Sequence, residues 1–463
     1  MTTTFVVRHH KLLFALVLLC CLSGCSLYGF QAMTVRDALM HDQIEFAYSL
    51  VDKQSGFSDP VLTNMNKGIL LRMKNDFVSS NLSLDKAKRH INKLYGTSLR
   101  EQLGSIVIND SVRAYEGSRI EQLLLHAYMA MNYIELDDID AARVEMLQAG
   151  VKMREWGDQP DDDPFIKYLS GMIYEALGEN DQAIVSYRHA MEAYKTNRDK
   201  QGLDVPTLLI VDLMRLLESE GLDDEVDILK GEYPQFSAGN RKKIRSRGEL
   251  IVILSNGLSP IKSENSITTF ANEIEKTVRI ALPVYATAPN QLNSARIVID
   301  GNSDMLETVE NVDGLARNTL EEEMPMILTR AIARAIVKHK SQHQSKGGQS
   351  MGGLLITMTN LITERADTRS WSTLPQEIQM SRHQLPPGKY PLDIEMVNNV
   401  GLVVDTMKQE VEIMPGKVTF VFKHWVTPKT KQEPEPVKPL LDIDGKSVDV
   451  SHWEQSDKVA AYA

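Results

Sequence analysis

The stretch Gly171-Met172-Ile173-Tyr174-Glu175-Ala176-Leu177-Gly178-Glu179-Asn180-Asp181-Gln182-Ala183-Ile184-Val185-Ser186-Tyr187-Arg188-His189-Ala190 decides the fold. Apolar and small residues recur in it at three- and four-residue spacing, which predicts helix. Small residues (Gly171, Ala183, Ala190) let two helices approach closely, Tyr174 and Tyr187 fill the gap, and Gly178 ends the first helix. The pattern has an earlier copy. Ala130, Tyr133, Leu136, Ala142 and Ala149 precede Gly171, Tyr174, Leu177, Ala183 and Ala190 by one constant offset (171 − 130 = 41). A weaker later copy follows at an offset of 43 in Met214, Leu217, Gly221 and Val226. The segments 207–233 and 60–95 (Leu70, Met73, Phe77, Ala87, Ile91) fit only marginally.

These spacings resemble the tetratricopeptide repeat, a helix–turn–helix unit of about 34 residues. The excess over that period sits in connections such as Trp156-Gly157-Asp158-Gln159-Pro160. The resemblance extends over roughly 200 residues and implies a stacked solenoid of helix pairs. In that family the concave groove holds a peptide or partner protein. The rival is a non-repeat helical bundle.

From Pro234 the pattern changes. Residues 234–248 contain Pro234, Gly239 and the basic run Arg241-Lys242-Lys243, and read as a linker. Leu250–Leu254, Val278–Leu282 and Ala295–Ile299 are short apolar runs between turn residues, as expected of strands. Leu392–Val397, Gly401–Thr406, Gln409–Ile413 and Val418–Lys423 add four more. Between the two groups Leu315–Lys340 is helical, with Pro325 either kinking it or opening a second helix. Leu354–Glu364 reads as another apolar helix. The expected fold is therefore α+β and multidomain. A tetratricopeptide-like all-α solenoid over 25–233 precedes a β-rich, sandwich-like domain over 249–426, with a helical insertion over about 313–366. Residues 427–463, rich in proline and charge, read as a poorly ordered tail.

The N-terminus carries the localisation. A basic flank (Arg8, Lys11) and the apolar run Leu12–Leu19 lead to Leu22-Ser23-Gly24-Cys25. That order is a secretory signal, and the run is far shorter than the ~20 residues that span a bilayer. Its end resembles the lipobox of bacterial lipoproteins. The resemblance implies a signal over 1–24, cleavage between Gly24 and Cys25, and acyl chains on Cys25. In Gram-negative members an aspartate after the cysteine tends to hold the protein at the inner membrane. Ser26 stands there, which implies the outer membrane, with the chain facing the periplasm.

Composition narrows the partners. A net charge of −11 over 463 residues argues against nucleic acid, which wants a basic footprint. It also opposes electrostatic adhesion to anionic lipid. The three cysteines are Cys20, Cys21 and Cys25. Two leave with the signal and the third is acylated, so no disulfide framework is expected.

Four stretches invite chemistry. Gly348-Gln349-Ser350-Met351-Gly352 matches the nucleophile elbow of serine hydrolases, but no strand leads into it. His339 and His343 share a helical face without the acid of a zinc motif. Asp158, Asp161, Asp162 and Asp163 lack EF-hand spacing, and Asp163 before Pro164 reads as a helix cap. Arg369 and Trp371, in a dense polar and aromatic cluster, either pair with an acid and cover the edge of the β domain or form an exposed binding surface.

The expected function is a non-enzymatic, cofactor-free scaffold that recruits another periplasmic or membrane-anchored envelope protein through its repeats. Cell-wall or envelope assembly enters by analogy only. The alternatives are a serine hydrolase around Ser350 and a glycan-binding protein acting through Trp371.

Overall fold

A computed structural model describes residues 24–53, 59–101, 114–157, 163–236, 246–271, 276–286, 294–344, 365–398 and 400–426. Among them are twelve helices and ten strands. The helices before the sheets are α1 (Gly24–Met40), α2 (Ile44–Lys53), α3 (Pro60–Met73), α4 (Phe77–Glu101), α5 (Arg119–Glu135), α6 (Ile139–Glu155), α7 (Pro164–Ala176), α8 (Asn180–Thr196), α9 (Arg198–Gln201), α10 (Thr207–Glu220) and α11 (Asp223–Glu232). They form five helical hairpins, α1–α2, α3–α4, α5–α6, α7–α8 and α10–α11. Each hairpin turns through one residue of positive φ: Asp42, Asn75, Asp137, Gly178 and Gly221. Asn and Asp tolerate that left-handed region better than other side chains, so the same slot accepts three residue types.

Caps set the helix starts. Asp163 accepts the Ile166 amide at 2.9 Å, with Pro164 at the first helical position. Ser118 and Glu121 make a reciprocal capping box at α5. Small residues set the helix spacing. A Cβ at Gly171 would collide with the ring of Tyr187, and one at Gly68 with Leu84.

The strands are β1 (Gly248–Asn256), β2 (Lys262–Ala271), β3 (Lys276–Tyr285), β4 (Ser294–Ile299), β5 (Asn302–Met305), β6 (Glu307–Glu310), β7 (Glu377–Leu385), β8 (Gly388–Val397), β9 (Val403–Ile413) and β10 (Val418–Trp425). One sheet has the order β10-β1-β7-β6, a second β5-β4-β8-β9, and β2 pairs with β3 as a ribbon. In the first sheet β10 runs parallel to β1, and β7 antiparallel to it. The expected strands 401–406 and 409–413 form one strand, β9, which begins at Val403. A single helix, α12 (Val312–Gln344), continues through Pro325. Residues 345–364 and 427–463 lie outside the described residues.

β1 is buried along its whole length. Leu250, Val252 and Leu254 pack with Ile297, Ile394 and Met396 of the second sheet. Ile251 and Ile253, on the opposite face, join the core of the helices with Leu124, Tyr128 and Met380. A strand covered on both faces reads as a continuous apolar run, which is what Leu250–Leu254 is. Residues of the helical block and of the β-rich block therefore share one apolar core.

Candidate functional site

The inner helices of the hairpins, α3, α5, α7 and α10, present polar side chains to one side. In a repeat protein that face is the binding groove. Here it is covered by the chain itself. β1, β7 and the segment 365–376 lie against it.

The segment 365–376 is held by helix caps. Asp59, which caps α3, also accepts the Tyr115 amide at 3.0 Å and the Arg369 guanidinium at 3.4 Å. Glu121, already in the capping box, accepts the Trp371 amide at 2.6 Å through its other oxygen. Asn66 accepts from Ser372 and Thr373 at 3.2 and 3.0 Å. Trp371 meets Tyr128 edge to face, with ring centroids 6.1 Å apart. The Tyr128 hydroxyl lies 3.1 Å from Ser255 on β1, and burial pushes its pKa up to about 12.

A buried charge cluster closes the middle of the groove. Arg382 on β7 reaches Glu175 on α7 at 2.8 Å and Asp212 on α10 at 2.9 Å, and also pairs with Glu249 on β1. Arg215 on α10 meets Glu175 at 2.5 Å and Glu249 at 3.7 Å. Tyrosine hydroxyls complete the shell: Tyr168 donates to Asp212 and Tyr187 to Glu175, each at 2.8 Å. Two cations thus face three carboxylates. Burial disfavours ionisation of Glu175 and Asp212, yet Arg382 and Arg215 outweigh it at Glu175 and hold that carboxyl down at about 2. At Asp212 burial prevails and moves the carboxyl upward. The arrangement has the chemistry of a clamp, since every charge is spent on another.

Further along, the Glu307 carboxylate from β6 accepts the Thr207 and Leu208 amides at 2.7 and 3.0 Å and so caps α10 from outside. The Tyr194 hydroxyl donates to the Val309 carbonyl at 2.5 Å. Arg72 on α3 stands over the Phe422 ring of β10, 5.1 Å from its centre. His424 beside it is half-buried, and desolvation followed by the Arg72 charge lowers its pKa to about 3.

The repeat residues lie where helices meet. Ala130, Ala142, Ala149, Ala183, Ala190 and Tyr187 are fully buried, and Gly171 abuts Tyr187. Tyr133 and Tyr174 differ from expectation. Both are only partly buried at the edge of the core, and at Gly171 it is Tyr187 that fills the gap. The exposed Arg369–Trp371 surface is overturned: Trp371 is 1 % exposed and Arg369 is buried against Asp59 and Asp367. Their aromatic and charged character serves groove closure. A glycan-stacking role for Trp371 falls with it.

Gly24 and Cys25 open α1, and the side chain of Cys25 lies outside the described residues. Ser350, Asp158, Asp161 and Asp162 lie outside them too, as do the side chains of His339 and His343. No group of three or more metal-ligating side chains occurs among the described residues, and no helix there is long and apolar enough to cross a membrane.

Arg382, Glu249 and Asp212 were missed by sequence reasoning. The usable signal was Ile378-x-Met380-x-Arg382, a period of two that marks β7 and puts Arg382 on its apolar face.

The outer helices remain open. Salt bridges tie them side by side: Lys88–Glu145 at 2.8 Å, Arg143–Glu179 at 2.5 Å and Arg188–Glu225 at 2.7 Å. Between them α6 exposes Val144, Leu147 and Val151, spaced three and four apart along one face. A separate cavity of about 590 Å³ lies between α5, β2–β3 and α12, rimmed by charges of both signs including Arg119, Lys262, Glu323 and Asp367.

No family model matches the chain, and no curated protein matches it. Solved structures do. A crystal structure of MamA is 13% identical, with a TM-score of 0.27 over 42% of this chain and 93% of that one. TPR-like repeats of a kinesin light chain from Podosopora anserina are 13% identical, with a TM-score of 0.32 over 45% of this chain and 94% of that one. The Rap conjugation gene regulator of plasmid pLS20, solved with a Phr peptide, is 13% identical, with a TM-score of 0.27 over 46% of this chain and 52% of that one.

Proposed function

We propose that this chain is a lipid-anchored scaffold, facing the periplasm from the outer membrane, that holds another envelope protein on the outer faces of its repeats. One observation carries the choice of face. The concave groove is filled by β1, β7 and residues 365–376, with its charges paired internally. The outer face of α6 is open and carries an apolar stripe at Val144, Leu147 and Val151. An amphipathic helix from a partner fits such a stripe through side chains of matching spacing. Anchoring is supported by Leu22-Ser23-Gly24-Cys25, and outer-membrane sorting by Ser26. No catalytic step is assigned, so Ser350→Ala leaves the function intact.

Photocrosslinking in cells tests the face. A crosslinker in place of Leu147 or Val151 is expected to trap one envelope protein, and Leu147→Glu to abolish the capture. Crosslinks formed from groove positions such as Tyr128, with none from α6, would overturn it. Anchoring is tested separately. Cys25→Ala should abolish lipid labelling and release the chain from membranes.

A further inference from the structure

The helix that begins at the lipid site has no spacer between it and the body. Tyr28, three residues after Cys25, donates its hydroxyl to the Ser370 carbonyl. Arg36 donates to the Ser259 carbonyl. Val35, Ala38 and Leu39 pack in one core with Ala47, Val51, Leu70 and Leu258. At 1.5 Å per residue, Tyr28 lies about 4.5 Å along the axis from Cys25. Acyl chains on Cys25 would therefore hold the whole folded body against the bilayer.

The outward side of α1 suits that position. Phe30 is 66 % exposed and Met33 60 %, on the side opposite Ala32 and Val35. They stand about 7.5 and 12 Å along the helix from Cys25. An interfacial helix buries its apolar face about 5–10 Å deep. Residues 24–35 hold no charged side chain. Charge on the outward side returns only farther along, where Asp37 and His41 form an exposed pair at 3.6 Å. The exposed face thus runs from apolar near the lipid site to charged away from it. A net charge of −11 opposes coulombic adhesion to anionic headgroups as the cause of contact.

We infer that Phe30 and Met33 insert into the bilayer interface and, with the acylated Cys25, fix the orientation of the body on the membrane. This rests on Cys25 carrying the lipid. The occupant of the face is phospholipid, and a protein covering it is the competing outcome.

The acylated chain has no other cysteine, so Phe30→Cys, Met33→Cys and His41→Cys each supply a single thiol for an environment-sensitive fluorophore. Each labelled, lipid-modified protein is reconstituted into phosphatidylethanolamine–phosphatidylglycerol vesicles containing brominated lipid. Flotation reports the anchor, and quenching reports depth. The expected result is flotation of all three, with emission at positions 30 and 33 shifted to the blue and mostly quenched, and emission at 41 unaffected. Flotation with all three fluorophores in water would overturn the insertion while leaving the anchor standing. Absence of lipid and of flotation would overturn both. Shielding at 30 and 33 that survives detergent extraction would point to protein cover and also overturn it.

Discussion

Arg382 and Asp212 are 170 residues apart in sequence and 2.9 Å apart in the fold. One sits on β7 of the first sheet, the other on the inner repeat helix α10. Their contact, with Glu175 and Glu249 around it, is where the chain closes its own groove. The pairing joins the inner repeat helices to the sheet, and we expect groove and sheet to unfold as one unit.

Removing Arg382 tests that unity. Arg382→Met leaves Glu175, Asp212 and Glu249 facing one another with Arg215 alone to balance them. Breaking a buried ion pair from one side costs about 3–5 kcal/mol. The variant should lose stability of that order in denaturant, with helical and sheet signals falling together. A sheet transition that precedes an unchanged helical one would show the blocks to be independent.

Gly171→Ala tests the repeat packing. The new methyl meets the Tyr187 ring, which is itself fixed by its bond to Glu175. Overpacking of this kind costs about 1–3 kcal/mol. Gly171→Ala combined with Tyr187→Leu should recover part of that loss, a coupling that a double-mutant cycle measures.

Acid stability follows from Glu175. Its carboxyl lies lower in the fold than its ordinary value, at about 2 against 4.5, so its contribution is complete above the unfolded value. It is lost as pH falls from 4.5 toward about 2. Melting temperature should drop steeply over that interval, and Glu175→Gln should flatten the drop while lowering stability at neutral pH.

Glu310 has the opposite sign. It is fully buried, and burial followed by the charge of Asp163 pushes its carboxyl well above the ordinary range. The folded state then keeps a proton that the unfolded chain releases, so stability declines as pH rises above 4.5. Glu310→Gln keeps the shape without the titration. Its melting temperature should gain on that of the parent between about pH 5 and pH 8. A constant difference across the range would mean that Glu310 is ionised in the fold.

Local rules carried much of the fold into the sequence. Small residues at a constant offset marked two hairpins, because helices that touch leave no room for a side chain at Gly171, Ala130 or Ala183. The α3–α4 hairpin obeys the same rule at Gly68, Ser80 and Ala87, each 103 residues before Gly171, Ala183 and Ala190 (171 − 68 = 103). It was marginal only because Leu84 stands where Tyr187 does and Asn75 where Gly178 does. Apolar runs gave β1, β3, β4, β8 and β10. β2, β5, β6 and β7 were missed because polar residues interrupt them; β2 pairs with its neighbour β3, whereas the partner of β7, β1, lies far back along the chain.

The sequence alone determined the helical pairing, the turn slots and the lipobox pattern, since each depends on neighbours within a few tens of residues. Only the tertiary structure decided what lies in the groove. Arg369 and Trp371 look the same in a sequence whether they face solvent or Asp59 and Tyr128. Burial and charge pairing at 2.9 Å depend on which distant segments meet, and no local spacing encodes that.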